Sequence, residues 1–256
     1  MAVKLKSRDE IAIMREAGRI VGRTLEQIRT MIRPGLNLLE IEQFVRDEFR
    51  RVGAKETFRN YSPGPKYPPY PSNICISIND QLVHGIPRDR KLKEGDIVSL
   101  DLGATYNGYV GDAAITVGVG QVSDAALQLM RVTEDALWAG IRAARSGRFL
   151  NDIRGAIEDT IRPHGFGIVK GYGGHGVGRA MHEEPHIENF RQRALGIQLR
   201  PGLVLALEPM VALGNPDVAE GSDGWTVSTK DGSLCCHFEH TIAIREGEEA
   251  EVLTLA

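Results

Sequence analysis

Seven side chains in this sequence have the chemistry to do more than fold it: His84, Asp101, Asp112, His175, His182, Glu208 and Glu239. Four are carboxylates and three are imidazoles, and each stands in or beside a stretch that reads as buried strand or glycine-rich turn. Burying one ionised carboxylate costs several kcal/mol unless positive charge compensates it. Four in one domain call for a large local positive charge, and a pair of divalent metal ions is its simplest source. The chemistry implied is hydrolysis by water activated between two metals.

Asp101 stands in IVSLDLGATYNGYVGDAAITV directly after an apolar run, with Asp112 eleven residues further on. A hairpin turning at Asn107-Gly108 brings both to one face. An unpaired Asp within a strand is disfavoured by propensity and by desolvation, so metal ligation accounts for the pair better than turn capping, the ordinary role of Asp. Glu208 follows GLVLAL and precedes Pro209, at the end of a buried strand. Glu239 lies in CCHFEHTIAI, where alternation leaves either face open to it.

His175 and His182 belong to GYGGHGVGRAMHEEPH, whose glycines let the backbone approach something closely. His182 to His186 also spell HExxH, but that string binds zinc only on a helix. Pro185 and the preceding glycines argue against a helix there. His84, in NDQLVHGIP, sits on a loop after a strand, a place that suits a catalytic group or an ordinary turn histidine. Cys75, Tyr70, Trp225 and Met181 fit either the core or a pocket. The stretch YSPGPKYPPYP reads as a polyproline ligand or as a rigid rim over the site, and the turn-setting prolines around its tyrosines favour the rim.

The elements that must position these groups follow from periodicity. Ile11, Met14, Ala17, Val21, Leu25 and Ile28 form one helical stripe from Ser7 to about Ile32. A second helix starts near the N-cap Asn37 and stops at Gly53. Ile74 to Ile78, Ile97 to Leu102 and Gly108 to Val119 read as strands, and Ser123 to Ala144 and Asn151 to Pro163 as helices. Strands return near Val204 to Leu207, Trp225 to Ser228 and Phe238 to Ile244.

The second half echoes the first. Gly35, Ile41, Val45, Phe49 and Gly53 recur 112 positions later as Gly147, Ile153, Ile157, Ile161 and Gly165. Gly95, Val98 and Asp101 recur 107 positions later as Gly202, Leu205 and Glu208, and Asp112, Ile115 and Val117 recur 127 positions later as Glu239, Ile242 and Ile244. Three alignments in one order predict two αα-β-β halves related by an approximate two-fold axis. Asp101 then faces Glu208, and Asp112 faces Glu239. The expected architecture is α+β, one domain over residues 1–256, with an antiparallel sheet covered on one face by helices and a site on the open face.

Composition limits the function. Of the 256 residues 42% are hydrophobic and 25% charged, ordinary globular values, and a net charge of -3 gives no argument for nucleic acid or anionic membrane as partner. The apolar segment from Gly202 to Gly214 is broken by Glu208 and Pro209, so no membrane span is expected, and the first residues lack the apolar run of a secretory signal. Cys75, Cys235 and Cys236 form no CxxC and are read as reduced thiols of a cytoplasmic protein.

The stretches CISIND, HGIP, GDIVSLDLGATYNGYVGDAAITV, GHGVGRAMHEEPHI, LALEPMV and DGWTVSTKDGSLCCHFEHTIAI, in this order and spacing, closely resemble the type I methionine aminopeptidases of the short bacterial kind. The resemblance runs over essentially the whole chain and implies the pita-bread fold, whose internal two-fold agrees with the repeat. It implies removal of the initiator methionine from nascent proteins whose second residue is small. It also implies five metal ligands: Asp112 and Glu239 bridging two divalent ions, His175 and Glu208 completing one site, and Asp101 the other. Co, Mn, Fe, Zn and Ni all suit such a set. By the same resemblance Glu208 is the proton shuttle, His84 and His182 contact substrate without ligating metal, and Tyr70, Cys75 and Trp225 line the methionine pocket. Met181 stands where relatives commonly carry an aromatic residue, and Tyr61 to Pro71 is longer and richer in proline than usual. A monomer is the expected state, and ribosome docking is left open. Related X-Pro peptidases usually carry a further N-terminal domain, and non-catalytic relatives should have lost ligands, so both fit less well.

Overall fold

The computed structural model describes residues 3–247 and 249–256. Its first helix, α1 (Arg8–Met31), starts where Ser7 closes a capping box. The Ser7 hydroxyl accepts from the Glu10 amide at 3.2 Å, and the Ser7 amide donates to the Glu10 carboxylate at 2.8 Å. All six residues of the expected stripe are buried. Helix α2 (Leu38–Val52) is capped by Asn37 and ends on Gly53 in the left-handed region, φ 71°. Helices α3 (Asp124–Ala143) and α4 (Leu150–Ile161) pack on each other and complete the helical layer. The expected fourth helix is shifted: it begins one residue before Asn151, and its last turn, Arg162–His164, tightens to a 3-10 turn around Pro163.

The strands that build the site are β1 (Cys75–Ile78), β2 (Gln81–Val83), β3 (Ile97–Tyr106), β4 (Tyr109–Gly118), β5 (Gly174–Gly176), β6 (Glu183–Ile187), β7 (Val204–Leu207), β8 (Met210–Ala212), β9 (Val227–Thr229), β10 (Cys235–His237) and β11 (Glu239–Ala243). Across the centre of the main antiparallel sheet the order is β3-β4-β11-β7-β5-β6. That order realises the sequence echo. β3 corresponds to β7 and β4 to β11, so the pseudo-two-fold passes between β4 and β11, which pair through Glu239 and Ala114. Helices cover one face, with α1 against β3 and β4.

Two local features aim the acids away from the helices. The β3-β4 hairpin turns at Asn107 and Gly108, both at positive φ (46° and 79°), the pair of conformations that a two-residue turn needs to match strand twist. Gly111 lies so close to α1 that a Cβ there would come within 2.5 Å of the Gly18 backbone nitrogen. Strand alternation then turns its neighbour Asp112 to the opposite face. The expected strand from Trp225 begins only at Val227, since Trp225 and Thr226 are held in a turn by the Asp223 carboxylate. Short strands β2, β5, β6, β8 and β10 lie outside the expected strands.

Candidate metal centre

Asp101 projects from β3, Asp112 from β4 and Glu239 from the first position of β11, while Glu208 follows the last residue of β7. His175 is the middle residue of β5, not part of a turn, because β5 is clamped between β6 and β7. A cavity of about 490 Å³ is lined by all four acids and by His84, His175, His182, Tyr70, Cys75 and Trp225, together with Phe58, Tyr61 and Met181. Each sequence-derived site residue therefore opens onto one space. The HExxH string is not a helix: Glu183–Ile187 is β6, and the His186 side chain is half exposed.

The acids are arranged as no metal-free design would leave them. Asp101 Oδ1, Asp112 Oδ1 and Glu239 Oε1 are buried without a hydrogen-bond partner, a costly state for charged oxygens. Burial first, and mutual repulsion second, hold Asp112, Glu208 and Glu239 far above the usual carboxylate range, while burial lifts Asp101 to about 7. His175 Nδ1 donates to the Gly176 carbonyl at 2.9 Å, which leaves the Nε2 lone pair facing Asp112 Oδ2 at 3.6 Å and Glu239 Oε1 at 3.9 Å. Burial, aided by His182, lowers His175 to about 3, so the ring is neutral. A lone pair aimed at carboxyl oxygens is repulsive unless a proton or a cation lies between them, and an ion spares the cost of holding several acids protonated. The donor set therefore fits a divalent ion, and a mix of imidazole and carboxylate suits first-row divalent metals.

Ligand atoms of Asp112, His175 and Glu239 lie within 4.8 Å of one another, as do those of Asp101, Glu208 and His237. Glu208 thus groups with Asp101, whereas the resemblance pairs it with His175. His237 was missed in the sequence. A signal was present: it stands two residues before Glu239, so it shares that face of the chain, with Phe238 turned into the core between them.

Around the acids the cavity is apolar and aromatic. Cys75 pairs with Asp101 across β1 and β3, and burial raises its thiol pKa far above the usual range, so it serves as a small hydrophobe. Tyr70 meets Trp225 edge to face at 5.1 Å and donates to the Gly85 carbonyl at 2.9 Å. Phe58 and Met181 both crowd Gly103 of β3, where a Cβ would meet them at 2.7 and 3.1 Å. Phe58 is a lining residue that sequence reasoning missed. The proline-rich stretch forms a rim: the Asn60 amide donates to the Tyr70 carbonyl and the Tyr70 amide to the Tyr61 carbonyl, both at 2.8 Å, closing the loop at its base. From that rim Tyr61 Oη reaches His182 Nδ1 at 2.8 Å, and the Pro68 carbonyl accepts from the Trp225 indole at 3.0 Å. His84, at φ 60° after β2, stands edge-on to Trp225, and burial lowers its pKa to about 4.

A pseudo-two-fold sheet with converging acids and an imidazole in one cavity defines a metal-dependent hydrolase of the pita-bread fold. Comparison with known proteins agrees. Residues 12–246 match metallopeptidase family M24. The chain is 45% identical to methionine aminopeptidase of Aquifex aeolicus, over 95% of this chain and 96% of that protein. It is 44% identical to methionine aminopeptidase 1 of Bacillus subtilis, over 94% and 95% respectively. The crystal structure of methionine aminopeptidase from Thermotoga maritima superposes with a TM-score of 0.94 at 40% identity, covering 100% of both chains. The chain belongs to metallopeptidase family M24 and is a metallo-aminopeptidase.

Proposed function

We propose that this protein removes the N-terminal, initiator methionine from nascent proteins and peptides whose second residue is small. The observation that carries this reading is the adjacency, in one cavity, of four buried acids and a patch of apolar and aromatic side chains. Asp101, Asp112, His175, Glu208 and Glu239 would hold two divalent ions. When bound, these supply Lewis acidity and a water acidic enough to attack at neutral pH.

The rest is done by the chain. Glu208 takes the proton of the attacking water on a carboxylate oxygen and passes it to the leaving amine nitrogen. With the Tyr61 phenol as the donor to Nδ1 of His182, the ring proton sits on Nε2, free to stabilise the developing oxyanion. His84 orients the scissile amide nitrogen. The slot of Phe58, Tyr70, Cys75, Met181 and Trp225 accepts an unbranched, polarizable thioether, and the proline-rich rim crowds the second side chain. The working site is the cytoplasm, with the protein a monomer and the nascent chain its partner; no described helix is long and apolar enough to cross a membrane.

The purified protein is expected to release methionine from Met-Ala-Ser, to lose that activity with a chelator and to spare X-Pro peptides. Glu208→Ala should fold normally yet lose about 10²–10⁴-fold in kcat, the range for a general acid-base group. Near-normal release of methionine by that variant refutes the proton-shuttle role, and preferential X-Pro cleavage refutes the substrate.

A further inference from the structure

His237 is fully buried, and neither ring nitrogen has a hydrogen-bond partner. A neutral imidazole always carries one N–H, and leaving that donor unsatisfied inside a protein costs about 1–3 kcal/mol. The residue does not line the cavity, so it stands behind the acids rather than among them. Its Nε2 faces Glu208 Oε1 at 3.7 Å, within reach of a hydrogen bond after a small side-chain rotation.

The backbone around the pair is held firmly. β10 and β8 pair with His237 opposite Met210, two residues beyond Glu208. The His237 carbonyl accepts from the Thr116 hydroxyl at 2.7 Å, and the Glu208 carbonyl accepts from the Asn189 amide at 2.8 Å. Among the described residues no side chain is hydrogen-bonded to the Glu208 carboxylate, and His237 is the imidazole that faces it. Two acceptors stand beside the ring, the Leu82 backbone and the Glu208 carboxylate. The carboxylate carries the charge and makes the stronger bond.

We propose that His237 is a positioning residue for Glu208: its Nε2–H restrains the carboxylate from the packed side of the site and fixes the oxygen that moves the proton. The inference rests on the role assigned to Glu208 above. Outer groups that orient metal-site carboxylates typically matter by about 10–100-fold.

Two variants and one spectrum test it. His237→Leu removes the donor, whereas His237→Gln retains an N–H that can reach the same oxygen. His237→Leu is expected to lower kcat on Met-Ala-Ser about 10–100-fold with KM within about threefold. His237→Gln should recover most of the loss, and the Co(II) absorption bands of both variants should stay at the wild-type positions. Wild-type kcat in His237→Leu, or shifted bands in both variants with no rescue by Gln, overturns the proposal; the second result would make the ring a metal ligand. Nitrogen-15 NMR of histidine-labelled wild-type protein should show a neutral His237 with its proton on Nε2. A proton on Nδ1 overturns the proposal even if the leucine variant fails to fold. If wild-type protein released no methionine, the aminopeptidase reading would fail, while the NMR result would still decide the contact.

Discussion

Asp101, Asp112 and Glu239 stand on long or central strands whose partners fix them on both sides, whereas Tyr61, Tyr70 and Trp225 reach the same cavity from loops. The acid side is held by backbone ladders and by symmetry, since each half of the sheet delivers its share at equivalent positions. The slot has no such echo: its tyrosines come from the proline-rich rim of the first half and Trp225 from a turn in the second. Chemistry that needs charges placed to a fraction of an ångström sits on the rigid part, and selection of a side chain sits on the part where loop residues can vary.

The sharpest way to break this division is Asp112→Asn. Methionine release should fall below detection and metal stoichiometry should drop. The chelated variant should nonetheless melt higher than chelated wild type at pH 8, by a few degrees, because a neutral amide takes up no proton on folding whereas the buried Asp112 carboxyl must. A variant that binds metal and turns over normally would remove Asp112 from the centre. Trp225→Ala tests the other region. It should lower kcat/KM for methionine peptides about 10–100-fold, the worth of a lost apolar contact, with metal affinity unchanged in calorimetry. Loss of metal in that variant would show that the two regions are not separable.

The smallest effect concerns pH. The buried acids have folded-state pKa values raised above their unfolded values, so the folded protein holds more protons than the unfolded chain and stability falls as pH rises through them. The buried histidines are lowered and act in the opposite direction, but only below about pH 6.5, where the unfolded chain takes up their protons. Between pH 7 and 8 the acids dominate, and toward pH 9 the buried thiols of Cys75, Cys235 and Cys236, also raised, add a loss of the same sign. Chelated protein should lose about 1.4 kcal/mol per pH unit for each proton still held, a few degrees in Tm per unit. Saturating Mn(II) should flatten the slope. A chelated protein equally stable at pH 7 and 9 would mean that the acids are already ionised without an ion.

Much of the frame was legible because its signals are long. The α1 stripe repeats over six positions, the β3-β4 hairpin announces its turn with Asn107-Gly108, and the three echoes anticipated which strands would be neighbours at the sheet centre. What stayed hidden is short. β5, β8 and β10 have three residues each, too few for a period to show, and they exist because longer strands hold them in register. Phe58 and His237 escaped for a related reason: each earns its place by what lies opposite it, Gly103 in one case and Glu208 in the other.

The linear order of residues determined which acids and imidazoles were available, that they came in two echoing sets, and that a metal was needed to make their burial tolerable. Only the folded chain decided which oxygens share a space, which ring nitrogens face them, and that Glu208 lies with Asp101 and His237. Those properties depend on separations of a few ångströms and on exclusion of water, through the distance and dielectric dependence of Coulomb interactions. Neither quantity exists until strands far apart in the chain have been brought side by side.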